Sequence, residues 1–532
     1  MPESRRADHA QSAESLDQSV LPALYPPRLR VYLGSVSPAT ASPQRTDSLL
    51  LVRLGAEVTL KSRRTRRHFL ERLESNLRDA IESSGERGRI DSVWGRTYVR
   101  TSVRAIPAVS RVFGISSLSP VGRVVRAELD TIVEAGLEVF VESVRGRRFA
   151  VRARRTGTHD FSSHDIAMRL GAALLPHSAG VRLNDPEVEV HVEVRNQSAY
   201  LFWERIHATG GLPLGVEGHA TALLSGGFDS AVAAWLLMKR GVALDYVFCN
   251  LGGDAYERAV LHVAKVLADD WSYGTRPRLH IVDFRPAVDE LRAKVRPSYW
   301  QVVLKRLMYR AASRLGVRYH SAAIVTGEAI GQVSSQTLAN LRAIESASEL
   351  PVFRPLLGFD KEEIIARART IGTAALSEQV REYCAIAPGR PVTAAAPERV
   401  EAEDALMDPV ILDRAIEQQR TVDLRSLSAG DLVAPYLFTT DIPADAMVID
   451  CRPIEHYRAW HLPGAVHRDE WDLLRGLQAL DRDRTYVLYC AHGIQTAWIA
   501  EKMQRLGIEA HSFKGGMRGV LQYAQERGLP TP

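Results

Sequence analysis

The order of apolar and polar positions predicts a small α+β module at the start of the patterned part of the chain. Ser48 to Gly55 is a short apolar run typical of a strand, and Ser92 to Val99 is strand-like. Between them, Thr65 to Ser83 carries apolar residues at helical spacing. A further stretch, Val112 to Pro120, completes a module of strands and helices.

A second α+β pattern begins near Val121. It predicts a helix from Val125 to Ala135, a strand from Arg148 to Arg154 and a helix from Ser163 to Leu175. Strands are predicted at Glu187 to Arg195 and Ala199 to Trp203, where apolar and polar residues alternate.

From Thr221 onward, apolar strands alternate with helices, which is typical of a doubly wound parallel sheet. The predicted strands are Thr221 to Leu224, Tyr246 to Asn250, His280 to Asp283 and Ala322 to Thr326. Pro391 to Glu403, rich in Ala, Pro and charge, is expected to be part of a connection. A last α/β domain is predicted from strands at Met447 to Cys451, Val487 to Cys490 and Ala510 to Phe513.

The length of 532 residues indicates several domains. The net charge of +5 is mild, but basic residues cluster between Lys61 and Arg67, and again at Arg147, Arg148, Arg152, Arg154 and Arg155. Such clusters suit phosphate backbones, although a solvated surface explains them equally well. No apolar run is long enough to span a bilayer and no signal peptide is predicted, so residues 1–45 are interpreted as a disordered extension.

The four cysteines are Cys249, Cys384, Cys451 and Cys490, with no C-x-x-C pair and no His/Cys spacing typical of zinc. A structural zinc site or a disulfide framework is therefore not expected, and no metal ligands are predicted. Redox or nucleophilic work is the alternative use of a few cysteines in a large enzyme.

The sharpest motif is Ala222-Leu-Leu-Ser-Gly-Gly-Phe-Asp-Ser230, an apolar strand that turns through two glycines into a helix predicted from Ala231 to Lys239. Gly226 and Gly227 permit close approach of a ligand. Ser225, Ser230 and the N–H groups at the helix start offer donors to an anion. The pattern lacks the Lys of a Walker A loop and resembles the pyrophosphate loop of ATP pyrophosphatases, which release pyrophosphate while adenylating an oxygen.

A second loop, Ile324 to Leu338, opens from a strand end and carries two glycines, two glutamines and several hydroxyls. In an open parallel sheet such a loop lies at the carboxyl edge, where ligands bind. Lys305, in a predicted helix from Trp300 to Leu315, is a candidate cation for ATP phosphates. A purely structural role remains open for each of these features taken alone.

Together these motifs resemble the tRNA 4-thiouridine synthetase family, also called tRNA uridine 4-sulfurtransferases. The resemblance rests on the pyrophosphate loop, Val112-Phe-Gly-Ile115, Gly210-Gly-Leu-Pro-Leu-Gly215, Thr326 to Leu338 and Arg354-Pro-Leu-Leu-Gly-Phe-Asp-Lys361. It implies a multidomain α/β and α+β chain. The implied domains are ferredoxin-like (46–120), THUMP (121–208), PP-loop ATP pyrophosphatase (209–390), a linker region (391–440) and a rhodanese-like domain (441–532).

The resemblance also implies site residues and ligands. ATP, with Mg²⁺, is expected around Leu223, Leu224, Lys305, Gly327 and Gln336, and Asp229 is expected to be essential. The ferredoxin-like and THUMP domains imply tRNA as partner. One departure is Ala231, where many members have Pro, which is helpful but replaceable in a first helical turn.

The C-terminal motifs Val448-Ile-Asp-Cys-Arg452, His461-Leu-Pro-Gly-Ala465 and Tyr486-Val-Leu-Tyr-Cys490 resemble a rhodanese domain. Cys490 follows a strand and faces a helix start, where N–H donors and the helix dipole stabilise a thiolate. It is the candidate persulfide carrier. Gln495 replaces the Arg of the common C-x-x-G-x-R loop, which favours a protein donor, a cysteine desulfurase, over thiosulfate.

By the same resemblance, Cys384 resolves the reaction by forming a disulfide with Cys490, which a cellular reductant then opens. Cys249 and Cys451 are interpreted as buried core thiols. A cytoplasmic protein without a membrane partner is expected. A homodimer and a supply of sulfur for thiamine thiazole synthesis are further implications.

Two alternatives remain open from the residues. One is a PP-loop ligase that adenylates a small molecule, which would need neither the tRNA-type modules nor the rhodanese loop. The other is a tRNA-binding or sulfur-relay protein with an idle ATP site, against which the intact loop at Ser225 to Ser230 argues.

Overall fold

The computed structural model describes residues 47–93, 96–378, 380, 390–427, 432, 435–452, 454–490 and 494–531. Residues 1–45, interpreted above as a disordered extension, lie outside these ranges. The described strands form four sheets. Within the described ranges, no helix combines the length and apolar character needed to cross a bilayer.

The strands are β1 (Asp47–Leu54), β2 (Gly88–Val93), β3 (Arg96–Ser102), β4 (Ile115–Val121), β5 (Arg123–Arg126), β6 (Arg148–Thr156), β7 (Gly180–Val181), β8 (Val188–Arg195), β9 (Ser198–Phe202), β10 (Ile206–His207), β11 (His219–Leu223), β12 (Ala243–Asn250), β13 (Arg278–Asp283), β14 (Ile324–Val325), β15 (Val352–Phe353), β16 (Arg420–Asp423), β17 (Phe438–Thr439), β18 (Met447–Asp450), β19 (Val466–His467), β20 (Tyr486–Tyr489) and β21 (Ala510–Phe513).

The α-helices are α1 (Ala56–Thr59), α2 (Arg63–Ser83), α3 (Ile106–Arg111), α4 (Leu129–Val144), α5 (Ser163–Leu174), α6 (Phe228–Lys239), α7 (Asp254–Trp271), α8 (Arg285–Lys294), α9 (Trp300–Arg318), α10 (Leu338–Glu345), α11 (Lys361–Ile371), α12 (Ala374–Ser377), α13 (Pro397–Asp404), α14 (Pro409–Glu417), α15 (Ile454–Ala459), α16 (Glu470–Arg475), α17 (Ile494–Arg505) and α18 (Gly516–Glu526).

The first sheet is antiparallel, in the order β10-β4-β1-β3-β2. Helix α2 begins after Ser62, whose side chain accepts from the Thr65 N–H, and it buries Phe69, Leu73 and Leu77 along one face. The single strand expected from Ser92 to Val99 is wrong. The structure has two strands instead, β2 and β3, paired antiparallel, and strand-like residues before Trp94 and after Gly95 made them look continuous in the sequence.

The second sheet has the order β5-β9-β8-β6-β7 and mixes parallel and antiparallel pairs. Helix α5 begins with a capping box between Ser162 and Asp165. The helix expected from Val125 starts later, at Leu129, since Arg123–Arg126 pairs with β9 as an edge strand. Pairing along the sheet overrides the local helical pattern there.

The central sheet has the order β15-β14-β11-β12-β13-β16, parallel except for β16. Strand β12 is buried along nearly its whole length, as expected for a parallel strand with helices on both faces. The expected linker 391–440 needs correction. Helices α13 and α14 lie within it, and β16 pairs with β13, so this segment extends the central sheet.

The fourth sheet is parallel, in the order β17-β21-β20-β18-β19. Its three central strands match the predicted strands within one residue at each end. Helix α17 packs on one face with Ala497, Ile499 and Met503 buried, and Val520 and Ala524 of α18 are buried with Val487 of β20. The fold is therefore a multidomain α/β and α+β chain.

An aromatic cluster joins the first module to the central domain. Phe113 of the first module is buried, with its ring centroid 5.7 Å from that of Trp235 and 5.8 Å from that of Trp271. In the same interface, Arg72 Nε and Asn76 Nδ2 donate to the Leu214 carbonyl. The Val112-Phe-Gly-Ile motif thus fixes the position of the first module on the central domain.

Candidate functional site

The predicted pyrophosphate loop is a closed turn between β11 and α6. Gly226 has φ +78°, a conformation that favours glycine. Ser230 Oγ donates to the Gly227 carbonyl at 3.1 Å and accepts from the Ser225 N–H at 3.3 Å. Gly227, the N-cap of α6, has no side chain to occupy the N–H groups of the first turn, which suits them to an anion. The helix begins at Phe228, three residues before the predicted start.

Helix α7 supports this loop from behind. The Tyr256 hydroxyl donates to the Ser225 carbonyl at 3.1 Å. A Cβ added to Gly226 would lie 3.1 Å from Val260 Cγ2. The loop is therefore packed against α7 on one side while its other side faces a cavity.

That cavity has a volume of about 340 Å³ and lies at the carboxyl edge of the central sheet. Nine of the predicted site residues line it: Leu223, Leu224, Ser225, Gly227, Asp229, Ser230, Lys305, Gly327 and Gln336. The predicted Gly226 is outside the lining and supplies the backbone turn. Residues predicted from three separate segments of the sequence thus lie around one pocket.

Gly327 lies in close contact with the start of α6. A Cβ at this position would lie 2.5 Å from the Asp229 carbonyl carbon and 2.6 Å from the Ser230 nitrogen. Only glycine at this position allows the start of α6 and the loop after β14 to lie this close together.

A buried carboxylate, Glu328, organises the floor of the pocket and was missed from the sequence. Glu328 is 2% exposed and accepts from Thr326 Oγ1 at 3.0 Å, from Arg354 Nε at 3.0 Å and from the Tyr309 hydroxyl. Burial and the Glu328 charge raise the pKa of Tyr309 well above its usual range. Lys305 Nζ lies 3.9 Å from Glu328 Oε1. This network holds Lys305 at the cavity and connects the cavity wall to Arg354, and the quoted motif from Thr326 was the signal for it.

Two glutamine side chains supply unsatisfied polar atoms at the cavity. Gln332 and Gln336 line it, and their buried Oε1 atoms have no hydrogen-bond partner among the described residues. A buried acceptor without a partner is costly unless a ligand supplies a donor. The cavity therefore fits a ligand that carries both an anionic group, at the Ser225–Ser230 loop, and hydrogen-bond donors. A nucleoside triphosphate has both.

Lys361 is a second residue that sequence reasoning did not select. Its Nζ donates to Asp229 Oδ1 at 2.9 Å, and both residues line the cavity. Lys361 Nζ also lies 5.5 Å from the centroid of the Phe228 ring. The Arg354-to-Lys361 motif carried this lysine, but no spacing rule connects it to a loop 132 residues earlier.

The cysteines lie in different settings. Cys249 is buried in the core and also lines the cavity. Cys384 lies outside the described residues, and Val380, four residues before it, lines the cavity. Cys451 is partly buried and packs against the apolar core of the fourth sheet, and burial together with the neighbouring Cys490 raises its pKa.

Cys490 directly follows β20, which ends at Tyr489 instead of the predicted Cys490, and it is 2% exposed. Thr496 Oγ1, in the first turn of α17, donates to Cys490 Sγ at 3.5 Å and shares a 2.7 Å hydrogen bond with Ser512 Oγ. The loop 491–493 and the side chain of Gln495 lie outside the described part of the chain. The Cys451 N–H donates to the Tyr489 carbonyl at 2.9 Å, so Cys451 and Cys490 lie side by side at the ends of adjacent strands.

A buried ion-pair cluster joins the two N-terminal modules. Glu193 of β8 accepts from Arg53 of β1 at 2.9 Å, from Arg96 at 3.0 Å and from Arg195 at 2.6 Å. Burial by itself would raise the pKa of Glu193, but the arginines outweigh burial and lower the pKa to about 2. Arg63, Arg64 and Arg67 of the first basic cluster are exposed, as are Arg147, Arg148, Arg154 and Arg155 of the second.

These features define a class of protein: a nucleotide-binding α/β enzyme with N-terminal α+β modules and a separate C-terminal sheet in which a cysteine directly follows a central strand. Family models match in the same order. "Thiamine biosynthesis protein (ThiI)" matches residues 215–408, the ThiI ferredoxin-like domain 49–119, the THUMP domain 126–204 and the rhodanese-like domain 439–522.

Three similar proteins identify the family to which the chain belongs. The chain is 40% identical to the tRNA sulfurtransferase of Pyrobaculum aerophilum, over 90% of this chain and 99% of that protein. It is 40% identical to that of Desulfurococcus amylolyticus, over 88% and 97%. It is 34% identical to that of Escherichia coli O157:H7, over 87% and 98%. The chain belongs to the tRNA sulfurtransferase family of enzymes.

One solved structure is similar across most of the fold. A 4-thiouridine synthetase in complex with RNA and bound ATP is 30% identical, with a TM-score of 0.62, and the match covers 71% of this chain and 99% of that one. The resemblance to this family and the predicted domain types are confirmed. The exact domain boundaries and the roles of individual site residues stay predictions.

Proposed function

We propose that this chain converts uridine 8 of tRNA to 4-thiouridine, with ATP to activate O4 and a persulfide on Cys490 to deliver sulfur. The observation that carries the proposal is the cavity at the Ser225–Ser230 loop, where the predicted ATP residues converge. The RNA and ATP bound to the similar 4-thiouridine synthetase support it. The THUMP match and the exposed arginines support tRNA as the partner.

In the first step, O4 of the uridine attacks the α-phosphate of ATP, and pyrophosphate leaves. The N–H groups at the start of α6, with Ser225 and Ser230, bind the phosphates, and Lys305 and Lys361 offset their charge. Mg²⁺ in such sites is held by phosphate oxygens and one or two carboxylates, and Asp229 is the carboxylate at this loop. When bound, Mg²⁺ neutralises charge on the phosphates.

In the second step, the terminal sulfur of the Cys490 persulfide attacks C4 and AMP leaves with the former O4. The Cys384 thiolate then attacks Sγ of Cys490. The bond between Sγ and the transferred sulfur breaks, sulfur stays on C4 with the electron pair, and a Cys384–Cys490 disulfide forms. A two-electron reductant returns both cysteines to thiols. Cys384 is four residues after Val380, which lines the cavity, so chain connectivity allows at most about 14 Å between their Cα atoms.

The source of sulfur is proposed to be a cysteine desulfurase that carries its own persulfide. Delivery of sulfur to thiamine thiazole synthesis, a homodimeric assembly and a cytoplasmic location complete the proposal. A PP-loop ligase acting on a small molecule is the competing function, and the family match disfavours it.

Mass spectrometry of nucleosides tests the proposal. Unmodified tRNA is incubated with the protein, Mg-ATP, a cysteine desulfurase, cysteine and a thiol reductant, and Cys490→Ser runs in parallel. We expect 4-thiouridine from the wild type and at most a trace from Cys490→Ser. AMP formation without any thiolated base would instead support the small-molecule ligase. Absence of ATP turnover would support the relay protein with an idle ATP site.

A further inference from the structure

The rhodanese-like domain contacts the central domain, which contains the central sheet, through a buried carboxylate. Glu501 of α17 is 4% exposed. Its Oε1 accepts from the Asp254 N–H at 3.0 Å, and its Oε2 accepts from the Ala255 N–H at 3.0 Å. Asp254 and Ala255 are the first two residues of α7, so one side chain satisfies two of the four N–H groups that this helix leaves open. A carboxylate is also the group that the helix dipole favours there.

The loop before α7 is shaped for this contact. Gly253 has φ +82°, and a Cβ on it would lie 2.8 Å from Glu501 Oε1, so a side chain would block the carboxylate. Asn250 Oδ1 accepts from the N–H groups of Gly252 at 3.0 Å and Gly253 at 2.9 Å. The loop is thereby held with the Asp254 and Ala255 N–H groups directed at α17.

Further contacts surround the carboxylate. Arg505, one turn along α17, pairs with Glu501 at 2.5 Å and lies 4.0 Å from Asp254. The Tyr436 hydroxyl donates to Asp254 Oδ2 at 2.9 Å. Ala255 of the central domain is buried within the apolar core of the rhodanese-like domain. The contact is therefore an interface with an apolar centre and charged surroundings.

The same two helices reach the two reactive centres. One residue past Ala255, Tyr256 donates to the Ser225 carbonyl of the pyrophosphate loop, and Val260 contacts Gly226. At the other end of the interface, α17 contains Thr496, whose hydroxyl donates to Cys490 Sγ. A short path of direct contacts thus runs from Cys490 through α17 and Glu501 to α7 and the loop.

We propose that Glu501 is a positioning residue for sulfur transfer: it fixes the rhodanese-like domain on α7, and through α7 relative to the pyrophosphate loop, so that the Cys490 persulfide is presented to the activated base. This inference rests on the proposed function. Glu501 is not needed for the two steps that do not use the interface, which are AMP formation at the ATP site and loading of sulfur onto Cys490.

The test compares Glu501→Gln with Glu526→Gln in the full-length protein. Gln keeps the size of the side chain but replaces one acceptor oxygen with an NH₂ that faces an N–H. Glu526 is exposed on α18 and accepts from Gln522, so its variant controls for loss of a glutamate charge. Four quantities are measured: 4-thiouridine formed, AMP formed, persulfide on Cys490 by intact-protein mass spectrometry, and deuterium uptake of the peptide 250–260.

For Glu501→Gln we expect faster deuterium uptake and a fall in 4-thiouridine formation of about tenfold or more, because charge-assisted hydrogen bonds to a buried carboxylate are lost. AMP formation and Cys490 loading should stay at wild-type levels. Unchanged thiolation would overturn the inference. So would a parallel loss of Cys490 loading, which would mean damage to the rhodanese-like domain. Failure of the wild type to thiolate tRNA would refute the proposed function instead, and the deuterium measurement would still report on the contact.

Discussion

Gly327→Ala tests whether contact between two loops creates the ATP site. The added Cβ would lie 2.5 Å from the Asp229 carbonyl carbon, 2.6 Å from the Ser230 nitrogen and 2.8 Å from the Asp229 oxygen. All three atoms are backbone, so no side chain can rotate away. Non-bonded carbon atoms approach to about 3.5 Å at their closest comfortable distance. The loop after β14 and the start of α6 must therefore separate by about 1 Å.

Catalysis should fall steeply in a protein that remains folded. Overpacking of this kind costs about 1–3 kcal/mol of unfolding free energy. A displacement of about 1 Å between groups that position a reactant costs about 10²-fold in rate. Gln336 lies in the loop after β14, and Lys305 lies 3.9 Å from Glu328 of the same loop. The pyrophosphate loop is on the other side of the contact, so the displacement changes its distances to Gln336 and Lys305. We expect kcat/KM for AMP formation to fall about 10²-fold while the protein remains folded.

The assay measures AMP released from ATP in the presence of tRNA, and thermal unfolding is recorded for each variant. Gly358→Ala is the matched control, because a Cβ at Gly358 meets nothing within 4 Å and its φ is not in the left-handed region. If Gly327→Ala forms AMP as fast as Gly358→Ala, the close contact does not position the site and the argument fails. If Gly327→Ala does not fold, the steric cost is larger than the contact distances imply.

Three further predictions follow from other contacts. The pKa of Glu193 is lowered from 4.5 to about 2, so its ion pairs contribute stability that is complete above pH 4.5 and is lost as the pH falls towards 2. This contribution amounts to about 3 kcal/mol. In denaturant titrations from pH 6 to 3, the unfolding free energy of the wild type should fall with a slope that Glu193→Gln lacks. Lys361→Met should slow AMP formation by about tenfold or more, because it removes the cation beside Asp229, whereas Lys294→Met, at a remote ion pair, should not. Phe113→Ala should lower the unfolding free energy by about 3–5 kcal/mol, and an equal effect from exposed Phe353→Ala would contradict the role of the aromatic cluster.

The secondary structure could be predicted where a pattern is local and repeated. Helix α5 and strand β8 lie within one residue of their predicted ends because capping and alternation act over a few residues. Prediction was wrong where pairing with a distant segment decided the outcome. Arg123–Arg126 is a strand only because β9 lies beside it, and Arg420–Asp423 is a strand only because β13 offers an edge. The residues of these two segments alone do not indicate which strand they will pair with.

The site could be predicted where a motif follows a strand. Ser225 to Ser230 and Gly327 stood out because glycines and hydroxyls after an apolar strand are typical of a phosphate loop. Glu328 and Lys361 were not selected, since a carboxylate and a lysine have no functional signature until their partners are known. Their roles rest on contacts with Arg354 and Asp229, and those contacts exist only in the folded chain.

The sequence by itself determined the kinds of domain, the order of the domains, the phosphate loop and the cysteine at the end of β20. Each of these depends on residues that are neighbours in the chain. The tertiary structure alone decided which segments complete the central sheet, how Gly327 meets the start of α6 and where Glu501 docks on α7. These contacts join residues up to 247 positions apart, and chain folding brings them together through burial of apolar surface rather than through any local pattern.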